Sequence, residues 1–201
     1  MFKRTRGYLL LTMLVLTGLA GRMHTDILSG KERRLLINEI KSARTALIRS
    51  TDGLSKKQLN FKPGKGKTNI RQLIYQLASI ENGLRDMSRN LVHQEAPHQK
   101  PATVRDGDLD SIASEIGRDP KQLLIQIAAF KSADAALDSF KTSSTDLLKY
   151  ARTTTENVRG HILVTAAGNF DAYQMMRLTS LCTVYFIEEI ESIKKAHNFP
   201  K

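Results

Sequence analysis

The amino-acid sequence predicts an all-α protein, a four-helix bundle with a long connection between its second and third helices. Three observations carry this expectation. Four segments repeat apolar residues every three or four positions. No segment alternates apolar and polar residues in the manner of a half-buried strand. A stretch from Glu95 to Gly117, with Pro97, Pro101, Gly107 and several charges, separates the second periodic segment from the third.

The first helix is expected over about Gly30 to Thr51, where Leu36, Ile40, Ala43 and Leu47 fall on one face and Asp52-Gly53 ends the run. Ser55, with Gln58 three residues on, has the capping-box pattern of a short helical turn. Phe61 to Gly66 is rich in breakers, so the chain reverses there. Thr68 or Asn69 caps a second helix carrying Ile70, Leu73, Leu77, Ile80 or Leu84, Met87 and Leu91. Glu95 to Gly117 then reads as an exposed connection with one irregular turn. Asp119-Pro120 is a capping residue followed by proline at the first helical position, which predicts a third helix lined by Leu123, Ile127, Phe130, Leu137 and Phe140. Thr145 to Gly168 is weakly patterned and reads as a loop with a short helical turn. The fourth helix is expected from about Asn169 to Ala196, with Met175, Leu178, Cys182, Phe186, Glu189 and Ile193 on one face.

Length and composition narrow the classes of function. The 201 residues suffice for one domain with its own core and hardly for two. With 41% apolar and 25% charged residues, 5 Pro and 12 Gly, the chain is neither disordered nor collagen-like. A single cysteine, Cys182, excludes an intramolecular disulfide and every all-cysteine metal site. The formal charge of +11 raises nucleic acid and anionic membranes as partners. The basic residues are scattered, however, and the densest run, Lys56 to Arg71, holds only Phe61 for base stacking. A solvated basic loop is the simpler expectation, and nucleic acid is not an expected partner.

Lys3, Arg4 and Arg6 precede an apolar run from Tyr8 to Ala20, which is short of the roughly 20 residues a spanning helix needs. Residues 1–21 therefore read as a secretory signal cut near Ala20–Gly21, with export to the periplasm or the medium. The alternative is an uncleaved N-terminal membrane anchor. Residues 28–201 form the expected bundle.

The stretch from Leu54 to Pro63 (LSKKQLNFKP) and that from Ile70 to Glu81 (IRQLIYQLASIE) resemble the first half of the DinB-like bundle proteins. Gly168 to Gln174 (GNFDAYQ) and the ending Ile193 to Pro200 (IKKAHNFP) are similar to that family's last helix and terminus. The resemblance implies a four-helix fold and a divalent metal held by three histidines, one on the second helix and two, four residues apart, on the last. It also implies thiol-cofactor transfer or isomerisation of small acids. Residues at i and i+4 share a helix face, so two imidazoles there and a third from a facing helix can meet at one ion. The corresponding positions of this chain hold Gln76, Cys182 and Phe186. A carboxamide is a poor ligand, one thiolate is a single ligand and a phenyl ring is none, so the resemblance implies a bundle that has lost its metal and needs no cofactor. The alternative is a rearranged site for zinc or nickel using Cys182, Glu189, Gln76 and His161.

Other chemistry has weaker signals. His24, His93, His98, His161 and His197 form no HExxH or His/Cys cluster. Gly64-Lys65-Gly66-Lys67-Thr68 echoes the end of a phosphate-binding loop but lacks the full spacing and a preceding strand, which leaves an ordinary basic turn. Two functions remain. One is a non-catalytic domain binding a small molecule or a protein in an apolar cleft lined by Gln76, Cys182, Tyr185, Phe186, Glu189 and His161. The other is a metal-dependent transferase or hydrolase with a rearranged ligand set. Homodimerisation through helix faces is compatible with both.

Overall fold

The computed structural model describes residues 27–94 and 102–201. The expected signal or anchor at residues 1–21 lies outside the described residues, as do His24, His98 and part of the long connection. Among the described residues the protein is mostly helical, with one small two-stranded sheet. None of the described helices is long and apolar enough to cross a membrane.

Helix α1 spans Gly30–Thr51, and its start is a reciprocal capping box between Ser29 and Glu32. A short α2, Lys56–Asn60, is capped in the same way by Ser55 and Gln58. Asn69 and Gln72 cap α3, Ile70–Val92. Helix α4 covers Leu109–Arg118, α5 covers Ala133–Thr153, strands β1 and β2 cover Ile162–Thr165 and Gly168–Asp171, and α6 covers Ala172–Lys194. Asp171 closes the hairpin and caps α6 through Gln174.

The four long helices touch in a ring, α1 to α6, α6 to α3, α3 to α5 and α5 back to α1. Their directions follow from named contacts. Arg177 binds Glu39 near one end of α1 and α6, and Ser50 donates to Glu191 near the other, so these helices run parallel. Arg33 donates to the carbonyls of Ala151 and Thr154, while Ile48 and Thr51 lie by Ala133 and Leu137, so α1 and α5 are antiparallel. Asn82 donates to Ser139 and Arg89 lies over the Tyr150 ring, so α3 and α5 are parallel. Two parallel neighbours cannot be joined by a tight turn, because the chain must first travel back the length of the pair. That requirement accounts for the long connection. Its cover of the core is apolar on the inside, where Leu109, Ala113, Ile116, Leu123 and Ile125 are buried with Leu77, Ile80, Leu84 and Phe186.

Three expectations are corrected. The connection is not an exposed loop throughout: α4 places Leu109, Ala113 and Ile116 at offsets 4 and 7, and all are buried. Asp119-Pro120 starts only a 3-10 turn over Pro120–Leu123, which stops at Leu124 in the left-handed region, and the long helix begins at Ala133 under a Ser132 cap. It runs to Thr153, through residues expected to be loop. The third correction is the antiparallel hairpin, where Ile162 pairs with Asp171 and Leu163 with Phe170. On α6 the buried stripe takes Ile190, while Glu189 is exposed.

The hairpin is locked by Arg159. Its guanidinium pairs with Glu32 of α1, Asp106 of the connection and Asp171 of β2, and stacks 4.0 Å over the Tyr173 ring. Gln174 donates to Asp106 and to the Val104 carbonyl, which ties the same connection to α6. Backbone N–H groups of Thr103 and Val104 reach the Asn169 carbonyl on β2.

Candidate functional site

A cleft of about 440 Å³ opens where the start of α3, the end of α4 and the last turns of α6 meet. Each wall has a local cause. Gly66, at φ 75°, turns the basic loop back so that Lys67 and Thr68 stand at the mouth before the Asn69 cap starts α3. Nearly two turns into α3, Gln76 is half-buried on the cleft side. At the C-terminal end of α4 the chain presents Gly117 and Arg118. The antiparallel run of α6 supplies Tyr185, Glu189 and Ser192. The Tyr185 ring lies across Gly117 so closely that a Cβ there would come within 2.3 Å of it, so only glycine admits this wall. Burial and the nearby Glu189 carboxylate raise the Tyr185 phenol above its ordinary pKa, with Arg118 opposing them.

The expected lining separates into two sets. Gln76, Tyr185 and Glu189 meet in the cleft. Cys182 and Phe186 do not line it; both are fully buried in the core, Phe186 edge-on to Tyr185 at 5.4 Å. The Cys182 thiol donates to the Ala113 carbonyl at 3.7 Å. Burial and then the neighbouring Glu81 carboxyl hold that thiol far above its ordinary pKa, which disfavours a free thiolate there. His161 lies beside the hairpin at the opposite end of α6, with its Nδ1 buried and unpartnered.

These placements do not fit a metal. An amide in the cleft, a protonated thiol turned toward a carbonyl and a phenyl ring in the core offer no convergent donor set. Among the described residues no group of three or more His, Cys, Asp or Glu side chains is placed to hold an ion. The three carboxylates around Arg159 are already saturated by its guanidinium. That pairing, with burial acting against it, holds Asp106 below its ordinary pKa.

Sequence reasoning missed Lys67, Thr68, Arg118 and Ser192 as lining residues and Glu81 as a buried acid. Glu81 had a signal: it falls four residues after Leu77 and three before Leu84, on the apolar stripe of α3. Arg118 had none, because α4 itself was hidden. Comparison of the chain with protein-family models, with curated proteins and with solved structures finds no match.

Proposed function

We propose that this chain is a degenerate DinB-like four-helix bundle, exported or held at the membrane by its N-terminal segment, that binds a small anion-bearing molecule without a metal and without catalysing its conversion. The ring of four long helices and the crossover between the parallel α3 and α5 support the bundle. The resemblance of the stretches Leu54 to Pro63, Ile70 to Glu81, Gly168 to Gln174 and Ile193 to Pro200 to that family supports the family. Export rests on the basic and apolar order of residues 3–20.

The observation that carries the binding function is the lining of the cleft. Lys67 and Arg118 supply positive charge that outweighs the one carboxylate there, that of Glu189; Gln76, Thr68 and Ser192 supply hydrogen-bonding groups, and Tyr185 supplies an aromatic wall. The competing function, a metal-dependent transferase or hydrolase with a rearranged ligand set, needs Cys182, Glu189, Gln76 and His161 to converge, whereas Gln76 and Glu189 lie in the cleft, Cys182 in the core and His161 beside the hairpin.

Thermal unfolding with acetate, succinate and inorganic phosphate tests the proposal. At least one of these anions should raise the melting temperature of the wild type, and Lys67→Ala with Arg118→Ala should remove that rise. No rise with any of them, or an equal rise in the double variant, contradicts it.

A further inference from the structure

Glu189 is the one lining group of the cleft that acts against a simple anion. The residues three and four positions from it on α6 are Tyr185, Phe186, Ser192 and Ile193, none of them basic, so its own helix gives it no partner. Among the described residues none of Glu189, Lys67 and Arg118 is in an ion pair. Glu191, two residues on, is the contrast: Lys194 and the Ser50 hydroxyl occupy it. A fixed carboxylate that repels an incoming anion lowers affinity unless the ligand brings a cation to meet it.

The order of the charges along the cleft narrows the ligand further. Tyr185, Glu189 and Ser192 form one stripe of α6, roughly 10 Å from first to last. Arg118 stands at the Tyr185 end, because Gly117 packs against that ring and the guanidinium reaches its phenol. Lys67 stands at the other end. The short α2 and the loop after it are fastened to the tail beyond α6, where Gln58 donates to the Pro200 carbonyl and Phe61 lies edge-on to Phe199 at 5.4 Å, and Lys67 follows that loop into the start of α3. The lining is therefore positive, negative and positive in turn.

We infer that the cleft takes an amino dicarboxylate, a small molecule with one carboxylate toward Arg118, one toward Lys67 and an ammonium between them at Glu189. Such a ligand answers each charge of the lining with its opposite, whereas a plain dicarboxylate leaves Glu189 facing it unmet. Thr68 and Ser192, on the Lys67 side, offer hydroxyls to the carboxylate there. The inference rests on the anion-binding function proposed for this cleft and adds the cation to it.

Glutarate and glutamate share one dicarboxylate skeleton and differ in a single ammonium, as do succinate and aspartate. Thermal unfolding of the full-length protein, titrated with each of the four and read as the rise above that of the Lys67→Ala, Arg118→Ala double variant, gives apparent affinities free of general solute effects. In at least one pair the wild type should bind the amino acid about fivefold more tightly than the plain dicarboxylate, the size expected of one solvent-accessible charge pair. Glu189→Gln, at an exposed position, should bring that pair to parity, weakening the amino acid and sparing or strengthening the plain acid. Rises with glutarate and succinate that the amino acids do not exceed overturn this inference and leave the anion-binding function standing. An amino-acid advantage that survives Glu189→Gln overturns the place given to the ammonium. No rise with any of the four overturns the anion-binding function, and this inference with it.

Discussion

Glu81 sits on the inner stripe of α3 with 2% of its surface exposed, and burial pushes its carboxyl up to about 8 while Arg85 acts weakly against that shift. In the unfolded chain the same group titrates near 4.5. The folded state therefore keeps a proton that the unfolded state sheds between these values. The stability this contributes is complete below pH 4.5 and is lost as pH rises toward 8. The linkage amounts to roughly 3–5 kcal/mol across that window. Glu81→Gln should abolish this loss and leave the protein more stable than wild type at pH 8, read as urea midpoints at pH 5 and pH 8. Equal midpoint changes in the two proteins would contradict the buried-acid account. The residue was visible in the sequence as an acid at a core position of a strong apolar stripe, but its effect on Cys182 was not, because that depends on how α3 meets α6.

At the scale of elements, the hairpin and the start of α1 share one cation. The Arg159 side chain is 24% exposed and pairs with three carboxylates, so its loss leaves Glu32, Asp106 and Asp171 facing one another. Arg159→Ala should cost about 2–4 kcal/mol, below the figure for a fully buried pair because water screens part of the cluster. Arg159→Lys should recover only part of it, since one ammonium cannot reproduce a fork serving three partners. Part of this contribution is pH-dependent. Asp106 and Glu32 are held below their ordinary values, so their share is present at neutral pH and disappears as pH falls through those lowered values. Thermal melts at neutral and acid pH should show the wild type losing stability on acidification and the alanine variant losing less of it.

The elements differ in how far they could be read from the sequence. Helices α1 and α3 were plain, because 22 and 23 residues repeat an apolar stripe under capping boxes. Helix α4 has 10 residues set among charges and breakers, and β1 and β2 have 4 each, too few for a period to show. Asp119-Pro120 misled because the signals that start an α-helix also start a 3-10 turn, and the left-handed Leu124 that ends it leaves no mark in a periodic pattern.

For the whole molecule, directions matter more than spacings. Parallel α3 and α5 force a return path, and that path lays α4 against α6, which builds one wall of the cleft, and sets the 3-10 turn that exposes Leu124 against α4. Gln76, Tyr185 and Glu189 were legible as cleft residues because α3 and α6 carry them on facing sides. Lys67 and Arg118 were not, because a loop and a hidden helix deliver them from elsewhere in the chain. Cys182 and Phe186 share a helix face with residues near the cleft, yet the packing of α4 over α6 turns them into core. The central proposal is that the cleft lined by Lys67, Gln76, Arg118 and Tyr185 binds its ligand without a metal ion. Elemental analysis of the full-length protein, purified without chelator and dialysed against zinc, nickel and manganese, tests it most directly. The account predicts no stoichiometric metal in wild type or in Cys182→Ala; one equivalent per chain in wild type that Cys182→Ala loses would contradict it.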